Sequence, residues 1–387
     1  MDDQRLIYLD HAATTPCDPR IVEIMQPYWI EQFANPSSSV HIAGRRARDA
    51  IERAREQVAT LIGATSREIV FTSGATEANN VAILGLARAV RHRGSSRNRL
   101  VTTVFEHASV WEPAKALARE GSDVTQIPAT PLGIVDLATA EKQMTNQTFL
   151  VSIQLANNEI GTLQPVKEVA SLARNVGAVI HCDATQAVGK ISTDVNDLDV
   201  DLLSLSGHKF YGPKGVGALY IRGGPDSWPL VPLMFGGGQE QGLRPGTVNV
   251  PAVVGLGAAC EIASQELESE SKRVATFRDA FEDQLRRAMP EVRINGRSVC
   301  RLPGASSLTF PNIEADVLLA QMPQLILSTG SACASGTWEP SHVLTAIGLS
   351  REAAWSTIRC TWGRFSKQSE VNFTIETLAA AIRVIQS

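Results

Sequence analysis

Between residues 65 and 225 the chain alternates between two hydrophobic periods, and that alternation restricts its fold more than any other feature. Short runs rich in Val, Ile, Leu and Phe read as strands at 68–72, 100–104, 149–154, 178–182, 201–205 and 217–221. Runs with helical spacing follow most of them, at 77–93, 110–119 and 167–176. Apolar strands alternating with amphipathic helices predict an α/β fold with a mostly parallel sheet covered by helices. In such sheets, ligands bind outside the carboxyl ends of the strands. Chemistry is therefore sought first in the residues that follow each strand.

Past Gly236-Gly-Gly238 the texture changes. A long helical pattern covers 251–288, charged in its second half, and short strand-like pieces follow near 292–294 and 306–310. Helical patterns recur near 315–322, 340–347 and 370–385, which together predict a smaller α+β domain. The expected division is a large domain over 16–260 and a small one combining 1–15 with 261–387. With 387 residues, 44% of them hydrophobic, the chain can bury a core of that size. Its net charge of −4 gives no sign of a nucleic-acid or anionic-membrane partner. The start has no basic segment leading into an apolar run, and no stretch is apolar for long enough to cross a bilayer. Six cysteines lack CxxC or CxxH spacing, which argues against a zinc site or a disulfide framework. No metal ligand is assigned, and the expected setting is cytoplasmic.

Two of the strand ends carry a telling pair. Lys209 lies in Ser206-Gly-His208-Lys209, just after the 201–205 run, and Asp183 lies in His181-Cys-Asp183-Ala-Thr-Gln186, after the 178–182 run. Taken singly, they read as a surface lysine and a helix-capping aspartate. Taken together, they are what pyridoxal phosphate (PLP) requires: an amine that bonds its aldehyde, and a carboxylate that keeps its ring nitrogen protonated. Thr72-Ser-Gly74-Ala75-Thr76 closes a strand and opens a helix. Its small residues let free backbone N–H groups approach a phosphate, and the Thr76 hydroxyl adds a donor. Ser206 and His208 are further phosphate donors, or ordinary turn residues. His107 follows the 100–104 run, where an imidazole can stack on a planar cofactor or serve as a structural hydrogen-bonder. Gln186, one helical turn beyond Asp183, is placed to bond the cofactor's phenolic oxygen.

The motifs taken as a set resemble a known family. Leu9-Asp-His-Ala-Ala-Thr-Thr-Pro16, Asn35-Pro-Ser-Ser-Ser, Ser73-Gly-Ala-Thr-Glu-Ala-Asn-Asn80, Asn157-Asn-Glu-Ile-Gly161, Asp183-Ala-Thr-Gln186 and Ser206-Gly-His-Lys209 come in the order seen in cysteine desulfurases of the NifS/IscS type. So do Gly236-Gly-Gly-Gln-Glu240, Leu243-Arg-Pro-Gly-Thr247, Gly330-Ser-Ala-Cys333 and Ile358-Arg-Cys-Thr-Trp-Gly-Arg364. These enzymes are class V members of the fold-type-I PLP-dependent transferases, built on a seven-stranded sheet. The resemblance implies that Lys209 holds PLP and moves protons, that Asp183 meets the ring nitrogen, that His107 stacks on the ring and that Gln186 meets the phenolic oxygen. It implies that Ala75, Thr76, Ser206 and His208 hold the phosphate. Thr247 would reach the phosphate of a second subunit, so a homodimer is expected. Asn158 and Arg359, with Asn35 nearby, would bind the substrate carboxylate, and a guanidinium suits that role by bidentate pairing. Cys333 would take sulfur from L-cysteine as a persulfide, for transfer to a scaffold or carrier protein in iron–sulfur assembly or thiolation. Metal binding enters only through that iron–sulfur link.

The chain departs from the family pattern in three places. Met322-Pro-Gln-Leu-Ile-Leu327 lacks the small residues usual before the cysteine loop; Cys182 and Cys360 add thiols beside Asp183 and Arg359; and Trp362 is larger than the usual residue there. Two other readings stay in view. One is a different class V enzyme, such as a selenocysteine lyase or a small-substrate aminotransferase, against which Cys333 argues. The other is a sulfur-carrier scaffold with a vestigial PLP site, against which the full set of chemical positions argues.

Overall fold

The computed structural model describes residues 6–228, 230–329 and 339–386. Its seven-stranded sheet runs in the order Ile69–Thr72, Gly217–Ile221, Leu202–Ser206, Val179–Asp183, Thr148–Gln154, Arg99–Thr103, Asp123–Ile127. Gly217–Ile221 is antiparallel to both its neighbours, and the remaining pairs are parallel. The strands anticipated from sequence lie within a residue or two of these. Asp123–Ile127 was not anticipated. It is an edge strand with only Ile127 buried, so it carries little apolar signal.

Local sequence explains the helix starts that matter for the site. His107 caps Ala108–Arg119, its Nδ1 accepting from the Ser109 N–H at 3.0 Å. Asn249 caps the 39-residue helix Val250–Ala288 through the Ala252 N–H. That helix packs into two apolar cores in turn. Its first half, from Val250 to Ala263, joins the core under the large sheet. Val274, Phe277, Phe281 and Leu285 join a second core with Leu308, Ile358, Leu378 and Ile382.

The second core lies against a four-stranded antiparallel sheet in the order Ser328–Thr329, Thr357–Thr361, Ala305–Thr309, Arg293–Asn295. Ile7 and Leu9, near the start of the chain, pack into this core rather than the first. Thr357–Thr361 was also missed from sequence. All five of its residues are buried, yet Thr, Arg and Cys hide the strand pattern.

Glu106 joins two neighbouring strands just beyond the sheet edge. Its Oε1 accepts from the Thr103 hydroxyl at 2.6 Å and from the Gln154 N–H at 3.1 Å, while Oε2 has no partner among the described residues. Burial pushes its pKa up from 4.5 to about 8; these two hydrogen bonds work the other way, and the nearby Asp183 charge adds to the rise. The folded protein therefore holds a proton there that the unfolded chain releases near pH 4.5. Stability from this group is complete below that pH and declines until the folded group ionises near pH 8. Glu106→Gln keeps the acceptor and removes the titration. We expect Tm measured against pH to show the variant gaining on wild type between pH 4.5 and about 8, with a constant offset above. A pH-independent offset would exclude a protonated Glu106 in the folded state.

Candidate functional site

A cavity of about 470 Å³ opens at the carboxyl edge of the large sheet. Leu202–Ser206 ends in one 3-10 turn, Gly207–Lys209, which brings Lys209 to the cavity wall. Lys209 Nζ donates to the carbonyls of Ala12 at 2.9 Å and Ala13 at 2.8 Å. Asp183 closes the adjacent strand, where its register partner is Ser204. Its carboxylate is gripped from two sides: Oδ2 accepts from Asn79 Nδ2 at 2.8 Å and Oδ1 from the Thr185 N–H at 3.0 Å.

Asn79 does more than hold the aspartate. Its Nδ2 also donates to Ser109 Oγ at 2.8 Å, so the Ser109 hydroxyl is left to donate to His107 Nδ1, 2.8 Å away. One amide thus ties the carboxylate to the imidazole. It makes Nδ1 the acceptor and leaves the ring proton on Nε2. Burial lowers the His107 pKa, with Asp183 opposing and Lys209 and His342 assisting, so the ring is held in its neutral form.

The phosphate-type turn is built from close backbone approach. Gly74 has a φ of 149°, which side-chain-bearing residues rarely adopt, and it precedes the helix beginning at Ala75. Gly217 leaves it room: a Cβ there would lie 2.7 Å from Gly74 Cα and would also strike the Leu205 carbonyl oxygen. Ser73, Ala75, Thr76, Ser206 and His208 all line the cavity. Burial and the charges of Lys209, Lys214 and Lys190 hold the His208 pKa down at about 4, so it is a neutral donor or acceptor.

Arg359 sits mid-strand in Thr357–Thr361, its side chain only 4% exposed. It donates from Nη1 to the Asn158 carbonyl at 2.9 Å and from Nη2 to Asp10 Oδ1 at 2.7 Å. Its Nε is buried with no partner among the described residues. Asn158 itself lines the cavity, so the guanidinium stands directly behind that wall.

The cavity therefore gathers Ala75, Thr76, His107, Asn158, Asp183, Gln186, Ser206, His208 and Lys209. It does not include Asn35 or Thr247, which are exposed on this chain. The Asn35 side chain instead accepts from the Ser37 N–H at 2.9 Å. Cys333 lies outside the described residues. Cys182 and Cys360 are buried in the first and second cores, and burial raises both thiol pKa values well above normal. Trp362 packs edge-on against Phe281 in the second core and does not line this cavity. Sequence reasoning overlooked Asn79, Ser109 and Asp10. Asn79 carried one signal: it follows Thr76 by three residues on the same helix and so shares its face.

This donor set fits a planar cofactor with a phosphate, a carbonyl and a protonatable ring nitrogen. It supplies amide and hydroxyl donors for the first, an amine for the second and a carboxylate for the third. Thr185 Oγ1, buried on the cavity wall with no partner among the described residues, marks hydrogen-bonding capacity left for a ligand. Among the described residues no cluster of three or more His, Cys, Asp or Glu could hold a metal ion. No described helix is long and apolar enough to cross a membrane.

Comparison with known proteins agrees with this geometry. The family model described as Aminotransferase class-V matches residues 7–373. The chain is 47% identical to the cysteine desulfurase of Homo sapiens over 372 residues, which are 96% of this chain and 80% of that protein. A solved structure described as a NifS-like protein superposes with a TM-score of 0.91 at 36% identity, covering 98% of this chain and all of that one (100%). A second, described as SspA in complex with cysteine, gives 0.81 at 38% identity, covering 93% of this chain and 99% of that one. On its fold, its site and its full-length relatives, the chain belongs to the class V aminotransferase family of PLP-dependent enzymes.

Proposed function

We propose that this chain is a PLP-dependent cysteine desulfurase. It converts L-cysteine to L-alanine and leaves the sulfur on Cys333 as a persulfide, which an acceptor protein then removes. The carrying observation is the convergence of Lys209, Asp183 and His107 on one cavity, in a chain whose relatives include a cysteine desulfurase. The SspA structure holding cysteine supports the substrate class.

PLP, when bound, supplies an electron sink that acidifies the substrate α-proton and lets sulfur leave carbon. The chain's own residues do the rest. Lys209 would hold the cofactor through its amine, and that amine would carry the proton to and from the substrate Cα. Asp183, steadied by Asn79 and the Thr185 N–H, keeps the ring nitrogen protonated. His107 covers the ring as a neutral imidazole with its proton on Nε2. Ala75, Thr76, Ser206 and His208 take the phosphate, and Gln186 takes the phenolic oxygen. Arg359 and Asn158 receive the substrate carboxylate, with Asp10 holding the guanidinium in place. The Cys333 thiolate attacks the substrate sulfur: an S–S bond forms, the C–S bond breaks, and its electron pair returns toward the substrate as the alanine methyl is made.

A homodimer completes the site in this reading. Trp29, Ile30, Phe33, Val40, Ile42, Met234 and Phe235 are large apolar side chains left exposed, at 48–88% of their full area. A second subunit is the simplest cover for them. The loop from Gly236 is held at its base where Glu240, at φ 46°, pairs with Arg55 at 2.8 Å. Beyond that base Thr247 is exposed, as expected for a residue that reaches the partner's phosphate. Asn35, among the exposed apolar residues, would join a site only across the same interface. The second core, drawn from Ile7, Leu9 and residues 274–382, supports the division into 16–260 and 1–15 with 261–387, while Leu302, Ala305, Val343 and Leu344 of the smaller part pack into the first core. The unpaired thiols at Cys17, Cys182, Cys260, Cys300 and Cys360 suit a reducing compartment such as the cytoplasm.

Two kinds of experiment, single variants and a mixed dimer, test the assignment. Lys209→Ala should lose the borohydride-reducible link to PLP and all turnover of L-cysteine. Cys333→Ser should still bind PLP and L-cysteine but form no persulfide. Sulfane sulfur on Cys182 or Cys360 in that variant, at wild-type rate, would overturn the role of Cys333. The second experiment pairs a Lys209→Ala chain with a Thr247→Ala chain. If Thr247 acts across the dimer, both lesions fall in one site and the mixed dimer keeps about half of wild-type activity, with PLP bound normally at the intact site. PLP loosened at the site that retains Lys209 would place Thr247 in its own subunit.

A further inference from the structure

Gln186 stands on the wall between two cavities: the large one that Lys209 lines, and a smaller one of about 40 Å³ where the two apolar cores meet. Its amide makes two hydrogen bonds. Oε1 accepts from Lys190 Nζ at 3.0 Å, and Nε2 donates to the Ala12 carbonyl at 2.8 Å. Both neighbours have one-way chemistry, since an ammonium only donates and a carbonyl only accepts. Reversing the amide would set donor against donor at Lys190 and acceptor against acceptor at Ala12. The orientation is therefore dictated by the neighbours, and the second N–H of Nε2 remains for the large cavity. The same Ala12 carbonyl takes Lys209 Nζ at 2.9 Å, so the amide and the cofactor-binding amine share a support.

We infer that Lys190 is a positioning residue, which fixes Gln186 as a hydrogen-bond donor toward the cofactor's phenolic oxygen and so favours the anionic form of that oxygen. The inference rests on the assignment of Gln186 to that oxygen. Lys190 lines the smaller cavity beside Glu270, Tyr211 and His11. Burial, then the charges of Lys209 and Arg359, lower its pKa to about 7, and Glu270 opposes them. His11, with a pKa lowered to about 4 chiefly by burial, is neutral and adds no charge there. Below about pH 7 Lys190 is thus a pure donor and the amide is locked.

The test follows the visible absorbance band of the cofactor-loaded protein as a function of pH, a readout separate from turnover. Lys190→Met removes the donor at similar length and should raise the midpoint of that titration by about one pH unit, because an anionic oxygen loses its support. Lys190→Arg, also donor-only, should stay close to wild type. Gln186→Leu should raise the midpoint too, and adding Lys190→Met to it should shift the midpoint far less than Lys190→Met does alone. Should Lys190→Met not fold, Lys190→Gln carries the same expectation, since its shorter, uncharged side chain no longer sets a donor-only group against Gln186 Oε1 and leaves the Ala12 carbonyl as the amide's one donor-demanding tie. A Gln186→Leu midpoint equal to wild type would remove the Gln186 assignment and the inference with it. If Gln186→Leu shifts the midpoint but Lys190→Met does not, or shifts both backgrounds equally, Lys190 does not act through the amide. The inference then fails while the proposed function stands.

Discussion

Strands paired in parallel must finish on the same edge of their sheet, with neighbouring ends about 4.8 Å apart. The whole site hangs on that constraint. Gln154 is in register with Asp183, and Asp183 with Ser204, so groups that follow three successive strands share one wall. Asn158, Asp183 and Lys209 are far apart in sequence and meet because pairing leaves them no other place. The single antiparallel strand begins where the others end. Its first residue, Gly217, is in register with both Ser206 and Thr72, and its missing side chain makes space for the phosphate-type turn.

A second constraint comes from the start of the chain, which is threaded between the two cores. The Thr361 N–H donates to the Leu9 carbonyl at 2.7 Å, and the Ala12 N–H to Thr361 Oγ1 at 3.0 Å. Three residues further on, Thr15 Oγ1 donates to the His208 carbonyl at 3.0 Å. Between these ties lie Asp10, which meets Arg359, and the Ala12 and Ala13 carbonyls, which meet Lys209. A short strap thus sets the spacing between a guanidinium on one sheet and an amine on the other.

How much of this was legible depended on whether a residue announces itself locally. Lys209, Asp183 and His107 could be found because each follows an apolar run, and the run itself declares a strand end. Asp123–Ile127 was lost because an edge strand buries too little to show a pattern, and Thr357–Thr361 because its buried residues are polar. Asn79 and Ser109 were invisible for a different reason. What joins them to each other and to Asp183 is a pair of contacts 30 and 104 residues long, which no local pattern encodes. The resemblance carried Arg359 to its place but not Asp10, since the ion pair spans 349 residues. Asn35 and Thr247 could be named but not joined to the cavity, because one chain alone does not bring them there.

The helix Val250–Ala288 spans roughly 58 Å at the usual rise per residue. Both cores pack on it, and no residue from 264 to 273 is buried, so its middle bridges them with no apolar core of its own. That bridge is braced from the side, with Glu266 taking Arg20 at 2.6 Å and Glu270 taking Arg364 at 2.7 Å. A continuous helix cannot shear internally without breaking its own ladder of hydrogen bonds. The two cores are therefore coupled like masses on one beam. Loss of either strips packing from half of a shared element, so a lesion in one core should lower the stability of the other although the two share no apolar residue.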